Sequence, residues 1–146
     1  MTRLGISLLI CTMLLGCGDD DGSSELSGSV SRIYSLAYDT TRALITVDEL
    51  AIQYIDNGAV ILQVVIVREQ AGEIMSGTYD LASVGTVVGD RPEGPLPDFV
   101  SGSVTLGTFS AEDGAPISGS FAATVETTNS EYAVVGQFST QLTLVP

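Results

Sequence analysis

Hydrophobic and polar positions alternate along most of this chain with a period of two, the spacing of a strand with one buried face. Val30, Tyr34, Leu36 and Tyr38 alternate with mostly small or polar residues and predict a strand over about 29–38. Asp39-Thr40-Thr41-Arg42 reads as a turn, and Ala51 to Ile55 as the next strand. Between them, Leu44 to Leu50 is ambiguous, because Asp48-Glu49 fits either a short helical turn or a break between strands. Asp56-Asn57-Gly58 is a hairpin signal, since Asn-Gly readily supplies the positive φ angles that tight hairpin turns need.

The strand that follows, Ala59 to Arg68, is apolar at both parities. Val60, Leu62, Val64 and Ile66 point one way; Ile61, Val65 and Val67 point the other. The second face is therefore either covered core or a surface for a partner. Glu69 to Gly72 turns the chain, and Ile74 to Leu81 carries another strand. Residues 83–98 read as a long loop, because their prolines lack the N–H that a sheet interior requires.

The last third has a rhythm. Ser118-Gly119-Ser120-Phe121 and Val135-Gly136-Gln137-Phe138 follow Ser101-Gly102-Ser103-Val104, with glycines 17 residues apart. They predict a meander of three antiparallel strands over about 99–110, 117–127 and 132–144. Ile117, Gly119, Phe121, Ala123 and Val125 share one face, as do Tyr132, Val134, Phe138, Leu142 and Leu144. The whole chain reads as all-β, an antiparallel β-sandwich or small barrel of about seven strands.

Composition changes the picture at the start. Arg3 is followed by the apolar run Leu4 to Leu15, the pattern of a secretory signal peptide and too short for a membrane span. The run ends in Leu14-Leu15-Gly16-Cys17. This resembles the lipobox of bacterial lipoproteins, in which the peptide is cut before the cysteine and the cysteine is acylated. The resemblance implies a signal peptide over 1–16, lipidation of Cys17 and an envelope location. Gly18 after the cysteine is similar to sequences sent to the outer membrane, with either face of that membrane open. Residues 17–27, rich in Gly, Ser and Asp, form an acidic tether of flexible composition, and 28–146 a single β domain. The segment Ser-Gly-Ser-Val-Thr-Leu…Ile-Ser-Gly-Ser-Phe-Ala-Ala-Thr-Val is also similar to small bacterial lipoproteins with all-β domains. That likeness spans 99–144 and implies no activity.

Charge and residue types then exclude much chemistry. The chain has 18 acidic and 5 basic residues, a net charge of −13, and no His or Trp. All five basic residues are arginines, so lysine is absent too. Removal of residues 1–16 takes Arg3 with it and leaves −14. Phosphate contacts need cations, so no nucleic-acid partner is expected. Without His there is no Ser-His-Asp triad or His-based metal site, and without Lys no Schiff base. With Cys11 removed and Cys17 acylated, no free thiol remains, so neither a disulfide nor a cofactor bound through sulfur is expected.

Carboxylates remain, and Asp48, Glu49, Asp90, Glu93 and Asp98 are the candidates for a hydrolase pair. Asp19-Asp20-Asp21-Gly22 does not make a calcium loop. Aligning Gly22 with the loop glycine puts Cys17 and Gly28 where carboxylates must sit. The expectation is a lipid-anchored, non-enzymatic module with no catalytic, cofactor or metal residues. Its partners are the membrane, through the anchor, and an envelope protein. Ile61, Val65 and Val67 with Arg91, Pro92 and Glu93 are the candidate contact surface. The rivals are a β domain binding a small apolar ligand or a glycan, and a carboxylate hydrolase.

Overall fold

A computed structural model describes residues 24–146. Strand β1 (Glu25–Ser27) and a single 3-10 turn (Ser29–Arg32) lead into β2 (Thr40–Ile45), β3 (Glu49–Asp56) and β4 (Ala59–Val67). A helical turn α1 (Arg68–Ala71) precedes β5 (Gly77–Asp80), a second helical turn α2 (Leu81–Val84) and β6 (Gly85–Val88). Two short strands β7 (Asp90–Arg91) and β8 (Gly94–Pro95) pair only with each other. The long strands β9 (Asp98–Thr108), β10 (Pro116–Glu126) and β11 (Glu131–Leu144) complete the chain.

Eight strands lie side by side in the order β5-β9-β10-β11-β2-β3-β4-β6, and β1 pairs with β11 off this path. The two outermost strands, β5 and β6, are consecutive in the chain, and α2 is all that separates them. The sheet therefore curls into a nearly closed barrel with α2 across its seam. Leu81 of α2 is fully buried, and the Asp80 carboxylate accepts from Ala82 N at 3.2 Å, capping the turn. All ladders of the barrel are antiparallel except one. At its far end β11 runs parallel to β2, from Leu142↔Ala43 to Leu144↔Ile45.

Side chains fill the interior. Leu50, Ile52 and Tyr54 of β3 meet Leu62, Val64 and Ile66 of β4 on one side, all fully buried. On the other side Val104, Ile117, Phe121, Val134, Phe138 and Leu142 are at most 2% exposed. The repeated glycines make room for the rings. In the β10–β11 register Gly119 lies opposite Phe138, and Phe121 opposite Gly136. A Cβ on Gly136 would stand 2.2 Å from Phe121 Cε1, and one on Gly119 would stand 2.9 Å from Phe138 Cζ. The 17-residue repeat is thus a reciprocal pairing of ring and gap across one hairpin. Tyr54 adds its ring edge-on to Phe121, at 6.1 Å between centroids.

The early residues behave differently from a strand. From Gly28, packed against Ala133 of β11, the chain runs across one end of the barrel to Tyr34, whose hydroxyl donates to the carbonyl of Ile61 in β4. Val30 and Tyr34 are buried as the pattern over 29–38 predicts, but as a cover across the barrel's end, with Ile33 left 49% exposed. The predicted turn at 39–42 is instead the start of β2, where Thr40 to Arg42 pair with Ile55 to Gln53. Val47-Asp48 is the break between β2 and β3. The Asn57-Gly58 hairpin forms as predicted, with φ of 51° and 80°. The three strands of the last third lie within two residues of their predicted bounds, although Leu144, placed on the inner face, is 44% exposed at the strand's end. The sheet also takes up residues 25–27, which composition assigns to the tether. The lipobox 14–17 and the aspartates 19–21 lie outside the described residues.

Candidate interaction surface

The contact surface expected from the sequence divides into three places. Ile61 belongs to the core. A β-bulge pairs Tyr54 with Leu62 and Ile55 with Val60, leaving Ile61 as the extra residue. Its side chain is 2% exposed, and its carbonyl is free of the ladder to accept from Tyr34. The strict alternation that puts Ile61 on the second face does not survive the bulge. Val65 does face outward, between Ala51 and Thr86 in register, but is only 6% exposed. Val67 is half-buried at the far end of β4, on an open groove of about 760 Å3 shared with Asp48, Arg68, Glu69 and Glu73.

Arg91, Pro92 and Glu93 sit at the opposite end of the barrel. The predicted loop over 83–98 contains β6, and then the β7–β8 hairpin with Pro92 and Glu93 exposed at its turn. The hairpin stays off the main sheet, as its prolines require. It is tied down by Arg91. The guanidinium pairs with Asp56 at 3.1 Å, donates from Nε to the Ser35 carbonyl at 2.7 Å and donates from Nη2 to the Ala37 carbonyl. It also lies over the Tyr34 ring at 5.7 Å. With its side chain 11% exposed, Arg91 is a clamp joining the hairpin, the 33–38 segment and the β3–β4 turn. Leu96 follows into the core at 6% exposure. Beside it runs a groove of about 500 Å3, lined by Ile33, Pro95, Pro97, Asp98 and Glu126 among others.

The carboxylates follow one rule. Among the described residues, every Asp and Glu occupies either a connection or the first or last position of a strand. Asp90, Glu93, Asp98, Glu126 and Glu131 gather at the end that carries the Pro-rich hairpin. Asp48, Glu49, Glu69, Glu73, Glu112 and Asp113 gather at the other. Asp48 and Glu49 are therefore at the opposite end from Asp90, Glu93 and Asp98, and the five hydrolase candidates do not form one site. No group of three or more potential metal-ligating residues occurs among the described residues.

The side wall between the two rims is uncharged, apart from Arg42 within β2 and the strand-end residues Glu25 and Asp80. Its outward positions are mostly Ser, Thr, Gln, Ala and Val, with Leu44 of β2 and Ile55 of β3 among them. On it Arg42 donates to Gln53 Oε1 at 2.9 and 2.6 Å, and Gln53 Nε2 donates to Gln63 Oε1 at 3.1 Å, a ladder across three strands. Three tyrosines titrate above the usual range. Burial raises Tyr54 furthest, with its hydroxyl donating to the Gln137 carbonyl at 2.6 Å. Burial also raises Tyr34 against the opposing field of Arg91, and raises Tyr38 with Glu25 adding to it.

These features define the class: an all-β protein with a nearly closed, side-chain-filled barrel, acidic at both rims and neutral along the wall. No protein-family model, curated protein or solved structure matches the chain.

Proposed function

We propose that this protein is a lipid-anchored component of the bacterial cell envelope, held in the outer membrane through Cys17, whose barrel is a non-enzymatic structural or interaction module. The observation that supports the module over the ligand-binding rival is the filled interior. Tyr54, Phe121 and Phe138 occupy the space in which a barrel of this size would hold a small ligand. A protein partner then meets the outer surface. The exposed turn at Pro92 and Glu93, braced by Arg91, is the part of the expected contact surface best placed to do so.

Metabolic labelling with a radioactive fatty acid tests the anchor. Cys17→Ser is expected to lose both the label and membrane association, and unchanged membrane association of that variant would overturn the reading. Native mass spectrometry of the purified protein tests the module. The mass of the acylated chain alone is expected, and a stoichiometric apolar adduct would decide for the ligand-binding rival.

A further inference from the structure

The chain enters the barrel through its side. Ser24, the first described residue, is held at the junction of β1, β2 and β11. Ser139 N donates to its Oγ at 3.1 Å, Thr41 Oγ1 lies 3.1 Å from the same oxygen, and the Tyr38 hydroxyl donates to its carbonyl. Along β11, Ser139 lies eight residues from the strand's start at Glu131 and five from its end at Leu144. At roughly 3.4 Å per residue, along strands that tilt by about 35–45° in a barrel, the entry point stands about 21 Å from one rim and about 13 Å from the other. The loops of each rim add to those distances.

Seven residue steps separate Cys17 from Ser24. Fully extended, they span at most about 25 Å. An anchor at Cys17 reaches a bilayer lying beyond the first rim only at full stretch, and one beyond the second only with most of the tether extended. A bilayer lying along the wall is within reach of any tether conformation.

Charge points the same way. An upright barrel would press one rim of carboxylates against a surface that carries anionic lipid, which repels them. A barrel on its side presents Ser, Thr and Gln together with Arg42, and among the described residues Glu25 is the one carboxylate beside the entry point. On its side, the barrel also keeps both rims off the lipid. The grooves beside Val67 and beside Ile33 then open parallel to the membrane.

We infer that the wall around the β1–β2–β11 junction is a lipid-facing surface, and that the anchored barrel lies on its side with both acidic rims free. This rests on the acylation of Cys17 proposed above. Acylation also makes the test simple, because an introduced cysteine is then the only free thiol of the mature chain. The lipidated protein is placed in vesicles of phosphatidylethanolamine and phosphatidylglycerol containing a nitroxide-headgroup lipid. A fluorophore is attached in turn at Gln137→Cys on the junction wall, Ser83→Cys on the seam opposite, Glu93→Cys on one rim and Glu112→Cys on the other.

Quenching is expected to be strongest at position 137. It should exceed that at 83 at least about twofold, because packed sheets stand some 10 Å apart and the two labels lie outside opposite walls. Strongest quenching at 93 or 112, or equal quenching at all four sites, would overturn the proposal and leave the anchor standing. Flotation of the Cys17→Ser chain equal to that of the unaltered chain would remove the anchor, and this inference with it.

Discussion

Adding one methyl group at Gly136 tests the ring-and-gap pairing of β10 and β11. Gly136 does not have a positive φ, so its backbone conformation is open to alanine. At a site with free space, Gly→Ala stabilises a protein by about 0.4–1 kcal/mol through the unfolded chain. Here the new Cβ would stand 2.2 Å from Cε1 and 2.8 Å from Cζ of Phe121, and 2.9 Å from the Tyr54 hydroxyl oxygen. Carbon atoms in contact prefer about 3.5–4.0 Å, so the ring must retreat by more than an ångström. Phe121 is 2% exposed and boxed between Val104 and Gly136, so the retreat displaces other core residues.

Overpacking of this kind costs about 1–3 kcal/mol. We expect Gly136→Ala at the upper end, since the same methyl group also crowds the Tyr54–Gln137 hydrogen bond. Urea unfolding followed by far-ultraviolet circular dichroism measures the loss. With a slope of about 1–3 kcal/mol per molar urea, the midpoint falls by roughly 1–3 M. Phe121→Leu removes part of the ring and is destabilising alone, but combined with Gly136→Ala it should recover at least ~1 kcal/mol through coupling. Gly107→Ala is the control, because its Cβ would meet nothing closer than the Ser118 carbonyl at 3.7 Å. A stabilising Gly136→Ala, or additivity of the pair within about 0.5 kcal/mol, would refute the pairing as the reason for these glycines.

Three further outcomes are expected. Gly58 has φ of 80° with open space around it, so Gly58→Ala should cost about 1 kcal/mol from backbone strain alone, and a stabilised variant in the same urea assay would contradict this. Arg91→Ala breaks the Asp56 pair and two carbonyl contacts and should cost about 2–3 kcal/mol, with faster proteolysis across 33–38. Arg91→Lys should recover little of it, because one ammonium cannot replace the planar fork, and full recovery by lysine would show that charge alone suffices. Tyr54 ionises near pH 10 in the unfolded chain and well above that when folded. Its contribution is thus complete below pH ~10 and falls as pH rises, by up to about 1.4 kcal/mol per unit. Tyr54→Phe should flatten that alkaline decline, and an unchanged slope would place the effect elsewhere.

The all-β class and the β9–β10–β11 meander were legible because β10 and β11 keep a regular alternation, β9 departs from it only at Val100 and Gly107, and all three are bounded by clear turn chemistry. The repeat of Gly and Phe was visible as well, but its meaning depends on register. Only when β10 and β11 are aligned does each glycine fall opposite a ring. The expected contact surface was less legible, because a single bulge moves Ile61 inward and no periodicity announces it. Strand β6 was hidden by the prolines that follow it. The segment 29–38 has the spacing of a strand but crosses the barrel's end, since Val30 and Tyr34 need burial and find it without a ladder. Arg91 appeared as part of an exposed loop, yet its three acceptors come from Ser35, Ala37 and Asp56, residues far away in the chain.

The pairing of β1 with β11 sets a condition on when this molecule can assemble. Glu25 bonds across to Gln137, and β2 gains its outer neighbour only at Leu142. Strands β1 and β2 thus have no partner on that side until β11 is made. Contacts this distant in sequence slow folding. Emergence of β11 is therefore the event that permits closure. A chain that must be threaded through a membrane before it folds would gain from such a delay, because its barrel cannot close around a half-delivered polypeptide.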